Sequence, residues 1–92
     1  MKMLREAYHP KAYLSNIKNI RRGLQARTRI LDVLDKHSVD VRTITKETGM
    51  HYGVVRHHLR LLETEGITER KQGKPHIWAV TGLGQKRLVN LG

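Results

Sequence analysis

Six histidines, eighteen lysines and arginines and eight acids are the side chains of this 92-residue chain that could bind a metal, move a proton or hold an anion, and no cysteine accompanies them. The densest group is His51-Tyr52-Gly53-Val54-Val55-Arg56-His57-His58-Leu59-Arg60. An arginine there can donate two hydrogen bonds to guanine O6 and N7, while His, Tyr and Thr reach base edges or phosphates. A metal reading of the same group fails on geometry: His57 and His58 are adjacent, so on a helix they point about 100° apart and cannot share an ion as an i,i+4 pair does. The chain has no His-x-x-x-His spacing and no thiolate. No metal, cofactor or small-molecule ligand is expected.

Enzyme signatures are equally thin. No G-x-x-x-x-G-K-[ST] loop occurs, and Gly82-Leu83-Gly84 lacks the strand-loop-helix setting of a phosphate cradle. Glu69-Arg70-Lys71 has no acidic partner in a preceding strand and reads as a charged hairpin. Asp32 and Asp35, one helical turn apart, read as a solvated pair. No catalytic residue is expected and the chain is read as a non-enzyme.

The elements that must position the basic cluster follow from periodicity. Pro10 opens an expected first helix, Lys11 to about Arg22, with Tyr13, Ile17 and Ile20 as a thin apolar stripe and Gly23 as its stop. A second helix runs from about Leu24 or Ala26 to Lys36. Asp40 is placed as the N-cap of a short helix, Val41–Thr48, that ends at Gly49. The strongest pattern is His51 to Glu65, stopped by Gly66. Val55, Leu59 and Leu62 fall within one narrow arc of its wheel and must face a core; Gly53, His57, Arg60 and Thr64 lie opposite, with Arg56 beside them and Tyr52 at the boundary. The period then changes to two short strands, 67–71 and 76–80, around a Gln72-Gly73-Lys74-Pro75 turn. Thr81 caps a last helix, about Leu83–Leu91. The expected fold is mainly α with a small β-hairpin wing: a winged helix-turn-helix with extra N- and C-terminal helices.

Charge placement agrees with a polyanion partner. The net +10 divides into +7 over residues 1–31, −2 over 32–69 and +5 over 70–92, so the excess flanks a balanced centre. Nucleic acid fits that polarity better than an anionic membrane surface does. No apolar run approaches the roughly 18 residues of a membrane span, and Met1-Lys2-Met3-Leu4-Arg5-Glu6 is unlike a signal peptide. A cytoplasmic, nucleoid-associated protein is expected.

Ile44-Thr45-Lys46-Glu47-Thr48-Gly49-Met50 followed by Val55-Arg56-His57-His58-Leu59-Arg60-Leu61-Leu62-Glu63-Thr64-Glu65-Gly66-Ile67 resembles the winged-helix transcription regulators, chiefly the arsenical-repressor-like and multiple-antibiotic-resistance-repressor-like groups and small archaeal regulators. The signature V-x-x-H-L-x-x-L-E-x-x-G-[LI] is met by Val55, His58, Leu59, Leu62, Glu63, Gly66 and Ile67. The wing exit L-T-x-x-G-x-x-x-L resembles Val80-Thr81-Gly82-Leu83-Gly84-Gln85-Lys86-Arg87-Leu88. The resemblance spans about residues 26–91. It implies base reading by His51, Tyr52, Gly53, Arg56 and His57, with Arg60 near the backbone, and wing contacts by Arg70, Lys71, Gln72, Gly73 and Lys74. Two positions depart from the family: His51 stands where Ser or Thr caps the helix, and Gly53 where Ser or Pro is usual. An early glycine costs up to about 1 kcal/mol of helix propensity, so a loose first turn is expected before DNA binds.

The resulting expectation is a sequence-specific double-stranded-DNA-binding transcription regulator, more a repressor than an activator. Its recognition helix spans about 51–65, with a wing at 70–76 on the backbone or minor groove. Residues 1–23 form a basic extension that dimerises or touches DNA, and 24–92 the DNA-binding domain; a homodimer is expected. An architectural chromatin-type binder and a winged-helix module for RNA or protein are the alternatives.

Overall fold

The computed structural model describes residues 8–15 and 19–82. Three helices and a hairpin follow one another: α1 (Arg21–Lys36), α2 (Val41–Thr48), α3 (Tyr52–Thr64), β1 (Thr68–Lys71) and β2 (Ile77–Val80), preceded by a single 3-10 turn at Pro10–Ala12.

The short helix, the helix expected from His51 to Glu65 and both strands lie where the sequence pattern puts them, within two residues at each end. The N-terminal expectation does not hold. Pro10 starts only one turn, and Tyr13 is already extended (φ −80°, ψ 129°). The apolar stripe is too thin to sustain a longer helix. Gly23 is not a stop but the third residue of α1. The reason is packing: a Cβ on Gly23 would lie 2.8 Å from Nη1 of Arg27. The glycine makes room for a buried guanidinium. The expected helix over Leu83–Leu91 lies outside the described residues, as does Ile17 of the N-terminal stripe.

Two apolar clusters hold α3 from behind. Ile30, Val33 and Leu34 of α1 meet Ile44 of α2, Val55 and Leu59 of α3, and Trp78 of β2. Leu24 and Leu31 of α1 meet Ala12, Leu14, Leu62 and Ile67. The three residues assigned to the core side of α3, Val55, Leu59 and Leu62, are each fully buried. Truncating one of them to alanine would cost about 2–5 kcal/mol.

The turns are set by two glycines with left-handed backbone. Gly49 (φ 74°) closes α2, its N–H donating to Thr45 O at 2.8 Å, and Asp40 caps the other end by accepting from Thr43 N at 3.0 Å. Gly66 (φ 76°) ends the turn after α3, where Ile67 N donates to Leu62 O at 2.9 Å. The antiparallel hairpin pairs Arg70 with Trp78 and Lys71 with Ile77. Trp78 N donates to Val39 O at 2.8 Å, so the extended segment after α1 is stitched to the other edge of β2.

Candidate nucleic-acid interface

The exposed side of α3 begins at its cap. His51 accepts from Gly53 N through Nδ1 at 3.1 Å, so the histidine satisfies one of the free N–H groups of the first turn. In the structure α3 is helical from Tyr52. His51, Tyr52, Gly53, Arg56, His57 and Arg60 are all exposed. The helix carries no acid before Glu63.

Glu63 is engaged on the hairpin side. Its Oε2 accepts from Arg70 Nε at 3.1 Å, and the same guanidinium lies 5.6 Å above the Trp78 ring. Arg70 is thus held mid-strand between α3 and the tryptophan, by an ion pair and a cation–π contact, rather than at the hairpin tip. Lys71, Gln72, Gly73 and Lys74 occupy the tip and are exposed. His76 donates from Nδ1 to Lys71 O across 3.3 Å, closing the base of the turn.

Between α3 and the hairpin runs a cleft of about 500 Å³, lined by Arg42, Tyr52, Arg56, Arg70, His76 and Trp78 among others. Its one acid is Asp40. That carboxylate is spent on the α2 cap: the hydroxyl and backbone N–H of Thr43 hold its pKa below the usual carboxylate range. Arg42 and His76 were missed in the sequence because neither belongs to the patterned helix or the basic tip. Arg42 follows the Asp40 cap by two residues, and that spacing was the available signal.

Not all of the N-terminal charge reaches the surface. Lys11 and Arg27 are both buried. Arg27 donates from Nε to Ala12 O at 2.6 Å and from Nη2 to Asn19 Oδ1 at 3.1 Å, and Nη1 lies 3.4 Å from His58 Nδ1. Burial lowers the Arg27 pKa, partly offset by Glu65; an arginine still keeps its charge. His58 is pulled to a pKa of about 4 by burial, then by the charge of Arg27 and by His57. His58 is therefore a neutral support at the back of α3, while His57 faces out.

His9, Asp32 and Asp35 come close enough that one ligand atom from each lies within 4.8 Å of the others. The group already contains its own cation. Lys11 Nζ is 3.5 Å from Asp35 Oδ1, His9 Nε2 is 2.6 Å from Asp35 Oδ2, and His9 Nδ1 accepts from Lys11 N. Asp35 is accordingly a fastener for the N-terminal segment, not half of a solvated pair.

Among solved structures, the chain is similar to the homodimeric winged helix-turn-helix DNA-binding domain of a Mycobacterium bovis protein described as a possible ArsR-family transcriptional regulator. The TM-score is 0.62 at 26% identity. The fold is a winged helix-turn-helix. The likeness covers 73% of this chain and 63% of the other, so the chain spans less than two thirds of that domain. No family model matches the chain, and no curated protein matches it. In this winged helix, α2 and α3 are the helix-turn-helix and β1–β2 the wing, and no helix among the described residues is long and apolar enough to cross a membrane.

Proposed function

We propose that this protein is a sequence-specific double-stranded-DNA-binding transcription regulator. The observation that carries the proposal is the exposed, acid-free face of α3 standing beside a basic wing, with three arginines in the cleft between them. The α3 face has the donors and the diameter for a major groove. Arg56 and His57, with His51, Tyr52, Gly53 and Arg60, read or approach base edges. Lys71, Gln72 and Lys74 bind phosphates from the wing, and Arg70 faces the cleft. The net charge of +10 supplies the long-range attraction.

The protein acts as a homodimer, as the Mycobacterium bovis domain is described to be, with its two α3 helices in major grooves about 34 Å apart on a pseudo-palindrome. Repression is the assigned sign, since a small domain seated on DNA blocks access without any further contact. The segment before α1 serves as the extension that joins protomers or touches DNA, and the chain from α1 onward as the DNA-binding domain. A cytoplasmic, nucleoid-associated location follows from that role.

Selection from random duplexes at physiological salt, with the retained complex sized, tests the reading. A preferred palindromic site held by two protomers, at least ~10³-fold over random duplex, is the expected result. The charge also favours a second reading, an architectural binder, for which that ratio would be near one. RNA outcompeting duplex would overturn both.

A further inference from the structure

Gly53 presents a cost without an internal return. A glycine in a helix interior is about 0.8–1 kcal/mol worse than alanine, and Gly53, second residue of α3, bears part of that cost. Its φ is not positive, and a Cβ there would meet only the His51 ring, at an ordinary 3.5 Å. Neither the backbone nor the packing of the folded chain requires the missing side chain. A surface from outside the molecule does, if it must come close to the α3 backbone at this point.

The residue next to it is equally unexplained. Val54 is 43% exposed, whereas Val55 is fully buried. At about 100° per residue, Gly53 and His57 lie at the centre of the outward face, with Arg56 on one flank and Val54 on the other. Arg56 lines the cleft toward the wing; Val54 is not among the cleft residues. The first turn and a half of α3 thus presents a shallow trough at Gly53 between a cation and a branched aliphatic group.

We infer that Val54 is a specificity-determining residue that packs against the 5-methyl group of a thymine, with Gly53 letting the helix approach closely enough for that contact. The inference rests on the DNA-binding reading and extends it. A thymine methyl is the one apolar group on the major-groove edge, so an exposed valine on an otherwise polar, cationic reading face has one partner there that suits it. The surrounding Arg56, His57 and Arg60 fit the charge of a duplex rather than that of an apolar protein surface.

The test uses the duplex retained by the wild-type protein, with each thymine replaced in turn by deoxyuridine, which removes only the methyl. Wild type should lose about four-fold in affinity at one position per half-site, the equivalent of one buried methyl group. Val54→Ala should bind the thymine duplex about four-fold more weakly and no longer distinguish thymine from deoxyuridine at that position. Gly53→Ala should melt at a higher temperature yet bind the duplex less tightly. Melting curves for both variants show that the fold is kept, since both positions are exposed. If wild type selects a site while no deoxyuridine matters, or if Val54→Ala keeps the same discrimination, the inference fails and the DNA-binding reading stands. Loss of self-association in Val54→Ala with discrimination intact also overturns it. Absence of any preferred duplex for wild type defeats the DNA-binding reading and this inference together.

Discussion

Nη1 of Arg27 lies 3.4 Å from Nδ1 of His58, joining the buried face of α1 to the middle of α3. The same guanidinium reaches back to Ala12 O and Asn19 Oδ1, so one side chain binds the N-terminal segment, the first helix and the reading helix into a unit. Arg27→Met keeps the length and apolar stem but leaves Ala12 O without its donor and Asn19 Oδ1 with Leu14 N alone. A loss of about 2–3 kcal/mol is expected, read as a lower urea midpoint with an unchanged slope. A variant as stable as wild type would show that water replaces the guanidinium at no cost.

Gly23→Ala tests the same contact from the other side. On an open helix surface this change would stabilise by up to about 1 kcal/mol. Here the new Cβ would sit 2.8 Å from Arg27 Nη1, so the guanidinium must leave its position. Gly23→Ala alone should therefore destabilise. In an Arg27→Met background, where no guanidinium stands in the way, it should stabilise. That reversal of sign in a double-mutant cycle is the expected outcome; equal effects in both backgrounds would separate Gly23 from Arg27.

His58 makes stability depend on pH in a fixed direction. Its folded pKa is about 4, against an ordinary 6.5, because burial and then the charge of Arg27 oppose the imidazolium. The unfolded chain therefore takes up this proton first. Between pH 6.5 and 4 it binds more protons than the folded chain, so stability falls as pH falls through that window, and the loss is complete below it. His58→Gln keeps a polar group of similar reach that does not titrate. Its denaturation midpoint should fall less than that of wild type between pH 7 and 4.5. Parallel profiles for the two proteins would mean that other groups carry the acid sensitivity.

The elements of the helix-turn-helix were legible because their signals are local. Asp40, Gly49 and Gly66 act within a turn of themselves, and the Val55, Leu59, Leu62 arc needs only the helical period. The exposed positions on α3 follow from that same arc. What escaped was set by partners distant in sequence. Lys11 and Arg27 count toward the basic excess of residues 1–31 until Asp35 and the carbonyl of Ala12 are seen to receive them, and Gly23 read as a stop until the side chain four residues later fills its space. Arg70 was placed at the wing tip, but its register opposite Trp78 and its pairing with Glu63 put it in the cleft. His51 was ranked a poor cap by residue type; its ring nitrogen nonetheless accepts from Gly53 N.

The division of labour between α3, the cleft and the wing predicts two separable binding phenotypes. Arg56 is exposed on the reading face, and its loss should relax base preference at one position, costing about 1–3 kcal/mol on the selected site and less on random duplex. Lys74 is exposed at the tip; in the proposed docking it meets phosphate only, so Lys74→Ala should weaken all duplexes alike and reduce the salt slope by about one. Arg42 lines the cleft from the start of α2, and in the proposed docking it meets the backbone rather than a base. Arg42→Ala should therefore behave as Lys74→Ala does, and the double variant should reduce the slope by about two. Affinity of wild type should itself drop about 10³–10⁵-fold between 50 and 200 mM salt if some 6–10 phosphates are contacted. Titrations of the five proteins on the selected and a random duplex decide the matter. Equal losses on both duplexes for Arg56→Ala would move that residue from the bases to the backbone, and an unchanged slope in Arg42→Ala would take the cleft out of the interface.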